Sequence, residues 1–192
     1  MSTRGAYGFY KCGENKITYN HSDSYPDVLG KNIVDFIVST PDGDIHDLFD
    51  KIELIDERES MTEEQIEECK KYNGNLEGHE DDEWYNALRL SQGHLEAYKD
   101  GLKYMLKGYE NFISNSLECE YAYVLNIDSY SLEFYVGGNK RPEKQGRYKA
   151  NNPISICGDK YYGCRLAKVY PFDIIRKFPD NVIKDIKKVC ED

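Results

Sequence analysis

The densest run of chemically versatile side chains is Tyr19-Asn20-His21-Ser22-Asp23-Ser24-Tyr25-Pro26. A histidine exchanges a proton near neutral pH, a carboxylate beside it can act as partner or base, and the amide and hydroxyls between them can hold a ligand's oxygens. Such groups gather at loop ends on a rigid scaffold. Here the run separates an aromatic and β-branched stretch, Lys16-Ile17-Thr18-Tyr19, from an apolar stripe at helical spacing: Val28, Leu29, Ile33, Val34, Phe36 and Ile37. The spacing predicts a strand followed by a helix over about 27–38, with Pro26 in its first turn. A helix start turns free N–H groups outward and favours an anion.

Ala6-Tyr7-Gly8-Phe9-Tyr10 precedes Cys12-Gly13-Glu14-Asn15, residue types that suit a tight turn, so the first two strands are expected to form a hairpin. A turn centred on Gly13 and Glu14 makes cross-strand residue numbers sum to about 27, which sets Arg4 beside Asp23 and Thr3 beside Ser24. A small anion or phosphate site follows from that register. Arg4 is its fork, the N–H groups of Asp27 to Leu29 its cradle, Asn20, Ser24 and Tyr25 its further contacts, and His21 with Asp23 its acid and base. Arg147, from the basic loop Arg141, Lys144, Arg147, Tyr148 and Lys149, is a second cation for such a ligand; the same loop can instead be solvated or meet acidic surface. The motif also has an architectural use, with Ser24 or Asp23 capping the helix, Arg4 paired to Asp23 and Asn20 satisfying a turn. No metal ligand set is assigned, and no cofactor is expected. Glu80-Asp81-Asp82-Glu83 beside His79 reads as acidity favouring a helix start, and Asp42-Gly43-Asp44-Ile45-His46-Asp47 lacks the later glutamate of a calcium loop.

The elements that must position these residues alternate in period. Pro41-Asp42-Gly43-Asp44 signals a turn, Ser60-x-x-Glu63 a capping box, and residues 63–72 a short helix. Trp84, Leu88, Ser91, Leu95, Tyr98, Leu102, Met105, Tyr109 and Phe112 repeat at alternating spacings of four and three, which predicts one long helix near 82–113. Gly93, Gly101 and Gly108 allow a kink or a break in it, and His94 on it reads as structural. Its seam can pack on the protein's own sheet or pair with a second copy. Beyond it the period becomes two: 121–126 and 131–136 form a second hairpin, 154–157 and 164–169 are strands, and Asp180 caps a last helix. The expected fold is α+β, an antiparallel sheet from the N- and C-terminal hairpins with helices on one side. One domain over 1–192 is expected, with an acidic helical excursion at about 41–83.

The chain has 192 residues, 25 Lys and Arg against 35 Asp and Glu, and a formal net charge of −10. Mean hydropathy is −0.74. No apolar run approaches the roughly 20 residues that span a bilayer, so no membrane role is expected. General nucleic-acid binding is not expected either, because it needs clustered cations. Residues 140–188 are nevertheless basic while the middle is acidic. Six scattered cysteines without a C-x-x-C pair, and a start without an apolar leader, suit free thiols in the cytoplasm.

Thr3-Arg4-Gly5-Ala6-Tyr7-Gly8-Phe9, the Tyr19 to Pro26 run with Leu29-Gly30, and Tyr121-Ala122-Tyr123-Val124-Leu125-Asn126-Ile127-Asp128 with Leu132-Glu133-Phe134-Tyr135 resemble a functionally uncharacterised family of small proteins common in bacteriophage genomes. The resemblance spans both ends of the chain and leaves the acidic middle unmatched. It implies a counter-defence role in the host cytoplasm. Two mechanisms fit that role: a nucleotide-like ligand held or cleaved at Arg4, His21 and Asp23, or a basic host protein engaged by the acidic surface. The chain is also faintly similar to N-terminal nucleophile amidohydrolases, with Ser2 as the residue exposed by loss of Met1.

Overall fold

The computed structural model describes residues 3–73, 84–149 and 152–191. Ser2, His79 and the Glu80 to Glu83 cluster lie outside them. β1 (Gly5–Lys11) and β2 (Glu14–Asn20) form the first hairpin. Its turn sits on Cys12 and Gly13, at φ of +50° and +87°. Two positive φ values match the twist of the flanking strands. The turn is therefore earlier than the residue types suggest, and Gly5 faces Asn20 rather than Ser22.

After β2 a π-helical turn, Pro26–Gly30, runs directly into α1 (Lys31–Ser39). α2 (Asp42–Lys51) replaces the expected turn after Pro41. Asp42 and Asp44 sit in its first turn, where negative charge favours a helix, and Asp42 pairs with Arg176 at 2.6 Å. Buried Lys16 on β2 donates to the carbonyls of Phe49 and Ile52 at 2.7 Å each and so holds the end of α2.

β3 (Glu53–Ile55) leads to α3 (Glu63–Asn73). The capping box is Thr62 with Gln65, not Ser60 with Glu63: Thr62 N donates to Gln65 Oε1 at 2.8 Å, and Gln65 N donates to Thr62 Oγ1 at 3.3 Å. Thr62→Ala is accordingly expected to cost about 1 kcal/mol in a urea titration, and Ser60→Ala close to nothing.

The expected long helix is absent. Its sequence forms α4 (Trp84–Leu88), α5 (Leu95–Lys99), β4 (Tyr104–Leu106) and α6 (Glu110–Ile113). Gly93, Gly101 and Gly108 separate these pieces at φ of +84°, +116° and +94°, outside the helical region. A homodimer through such a helix loses its basis.

β5 (Tyr121–Asn126) and β6 (Ser131–Val136) make the expected second hairpin. β7 (Ile154–Ile156) and β8 (Asp159–Tyr161) form a small separate hairpin; β9 (Arg165–Pro171), α7 (Phe172–Lys177) and α8 (Pro179–Glu191) follow. Asp180 lies in the first turn of α8, which Pro179 opens. The five-stranded sheet has the order β2-β1-β5-β6-β9 and is antiparallel except for β1 with β5. This parallel pair joins the two hairpins, and their turns meet where Cys12 N donates to both oxygens of Asp128 at 2.9 and 3.1 Å.

Tyr7, Phe9, Tyr123 and Leu125 point to one face, under Leu29, Ile33, Phe36, Phe172 and Ile175. Ala6, Ile17, Ala122 and Val124 point to the other, where Ile113, Cys119, Tyr148 and Cys164 cover them. The sheet is thus covered on both faces, not one, which explains why β5 is apolar at nearly every position. Among the described residues no helix is long and apolar enough to cross a membrane.

Candidate functional site

Where β2 ends, Asn20 organises the loop that follows. It is 5% exposed, and its Nδ2 donates to Ser22 O at 2.6 Å and Ser24 Oγ at 2.8 Å. Buried Ser24 is held again by its N–H to Thr3 O at 3.2 Å and by the Tyr123 hydroxyl, which donates to Ser24 O at 3.1 Å. Thr3 and Ser24 thus do meet, while Asp23 takes a left-handed backbone at φ +55°, a conformation aspartate tolerates. These bonds turn His21 and Asp23 to one side of the loop.

That side is one wall of an open cleft of about 350 Å³. The other wall is the turn between α4 and α5, with Arg89, Gln92 and His94. Two buried contacts set this turn: Tyr7 donates its hydroxyl to Ser91 O at 3.3 Å, and Ser91 Oγ donates to Leu88 O at 2.7 Å. Burial pushes the Tyr7 phenol well above its ordinary pKa, so it stays a neutral donor. The walls touch where Gly93 meets the Asn20 amide, since a Cβ there would lie 2.8 Å from Asn20 Oδ1. They are also bridged by His21 Nδ1 and Gln92 Oε1, 3.4 Å apart.

The cleft therefore collects Asn20, His21 and Asp23 of the expected site residues. It does not collect Arg4, Ser24, Tyr25 or Arg147. Arg4 pairs with Glu118 instead of Asp23, and its backbone N–H donates to Glu120 Oε1 at 3.2 Å. Exposed Tyr25 has its ring 6.3 Å from that of Tyr121. Arg147 is bonded to Glu133 and lies 3.5 Å over the Tyr10 ring. Two of the three N–H groups of the expected cradle are spent internally, because Val28 N donates to Tyr25 O at 3.1 Å and Leu29 N to Asp23 O at 3.3 Å. No family model, curated protein or solved structure matches the chain. The chemistry of the cleft is read from its own groups.

Two of those groups keep unused donors. Gln92 is 6% exposed and meets His21 through its Oε1, yet its Nε2 makes no hydrogen bond among the described residues. Arg89 is exposed and has no ion pair among the described residues. His94 opens α5 with no side-chain cap bond. Arg89, Gln92 and His94 were hidden in the sequence by the helical period, and Gly93 is the residue that marks them as a turn. Among the described residues no group of three His, Cys, Asp or Glu side chains is placed to hold a metal ion.

Proposed function

We propose that this cleft binds a small anionic, phosphate-bearing ligand. The observation that carries the reading is exposed Arg89 on the cleft wall, without an ion pair among the described residues and on the same turn as Gln92 and His94. An anionic oxygen engages the guanidinium fork of Arg89. His21 and Asp23 on the facing wall are the acid and base available if the bound ligand is cleaved. In the host-cell setting that the phage resemblance implies, such a protein would intercept a nucleotide-like signal.

Thermal unfolding against rising orthophosphate and pyrophosphate tests this. Ligand at a hundred times its Kd adds about 2.7 kcal/mol, a clear rise in Tm. Arg89→Ala is expected to weaken binding at least about tenfold while leaving the unliganded Tm unchanged, since its side chain is exposed and makes no ion pair among the described residues. No rise with either anion overturns the proposal and leaves the acidic surface, with a basic partner, as the reading to pursue.

A further inference from the structure

The polar groups of the cleft are bordered by two aliphatic side chains that the fold does not bury. Leu90 is 59% exposed and Val28 is 44% exposed, and both line the same cleft. Leu90 directly follows Arg89 on the α4–α5 turn, whereas Val28 comes from the π-helical turn on the opposite wall. Around them stand Asn32, Asp23 and His94, all exposed and polar. An alkyl chain placed there would desolvate those polar groups without bonding them. A flat heterocycle would not, because its faces are apolar and its edge carries donors and acceptors. Its faces can lie on Leu90 and Val28 while its edge meets Asn32 and Asp23, and the phosphate keeps Arg89.

From this division of the cleft we infer that the ligand is a nucleoside monophosphate, with its base against Leu90 and Val28. The inference rests on the anion-binding reading and narrows it. Ligand pockets start near roughly 300 Å³, so an open cleft of about 350 Å³ is large enough for one base and one phosphate. Leu90 and Val28 select the base and touch no phosphate. Arg89 binds the phosphate shared by every ligand of the class.

Titration calorimetry with the full chain compares the four 5′-mononucleotides, ribose 5-phosphate, hexyl phosphate and orthophosphate. At least one mononucleotide is expected to bind ten times more tightly than ribose 5-phosphate. Leu90→Ser and Val28→Ser change exposed positions and should fold normally. Each is expected to erase that tenfold difference and leave orthophosphate binding unchanged, whereas Arg89→Ala lowers affinity for every phosphate. Ribose 5-phosphate or hexyl phosphate binding as tightly as the best mononucleotide overturns the base seat and leaves the anion site standing. Absence of binding by all of them, orthophosphate included, overturns both.

Discussion

Replacing Glu133 with alanine is expected to destabilise the protein by about 3–5 kcal/mol, the cost of removing one partner of a buried pair. Glu133 sits on β6, only 6% exposed, and four donors converge on its carboxylate. Arg147 Nε donates at 3.0 Å with Arg147 Nη2 beside it, Tyr135 Oη at 2.6 Å and Asn126 Nδ2 at 2.7 Å. The guanidinium is fixed in turn by the face of Tyr10. Alanine would leave a part-buried cation and two buried donors with nothing to bond. In a protein of this size the Tm should fall by about 6–20 °C. Combining Glu133→Ala with Arg147→Met should recover part of the loss, because the stranded charge is gone. A loss below about 1 kcal/mol in urea would show that water replaces the carboxylate without penalty.

The same carboxylate gives a pH dependence of definite sign. Burial pushes its pKa up, but the bonds from Arg147, Tyr135 and Asn126 outweigh burial and hold it below the ordinary glutamate value. The folded state therefore binds this proton less readily than the unfolded chain, whose glutamates titrate near about 4.3. Its stabilisation is fully present above that pH and is lost as the pH falls through the folded value. Wild type should lose more Tm between neutral pH and about pH 3 than Glu133→Gln does.

Structure is legible in this sequence where its signal is local. Both hairpins follow from period-two runs and turn residues, and α8 from a single apolar face. The shifted register of the first hairpin turns on Cys12 accepting a positive φ, which its residue type does not advertise. The seam from Trp84 to Met105 was right about burial and wrong about form. Trp84, Leu88, Leu95, Tyr98, Leu102 and Met105 are all buried, but short pieces separated by glycines deliver them to the core. Half of the candidate site was legible for the same reason. His21 and Asp23 stand in one compact loop, whereas Arg89, Gln92 and His94 become its neighbours only when the α4–α5 turn packs against Asn20. Arg4 pairs with Glu118, a partner that nothing near Arg4 in sequence announces.

Gly8→Ala should disturb both stability and the cleft. Gly8 is the middle of β1, opposite Ile17 on β2 and beside Val124 on β5, at φ +153°. A Cβ there would lie 2.0 Å from the carbonyl oxygen of Lys16 and 2.9 Å from the Cα of Ile17. Both are backbone atoms, so no rotamer change relieves the clash and β2 itself must move. That strand carries Lys16, which holds the end of α2, and leads into Asn20 and His21 on the cleft wall. The expected cost is about 3 kcal/mol or more, the upper range for overpacking, together with weaker phosphate binding. Gly13→Ala provides the contrast. It also sits at positive φ, +87°, but a Cβ there meets nothing within 4 Å, so the penalty is limited to backbone strain of about 1 kcal/mol. Urea midpoints of the two variants distinguish a steric origin from a conformational one. Equal losses would mean that the close approach of β1 and β2 at Gly8 does not limit stability, and that positive φ alone accounts for the glycine.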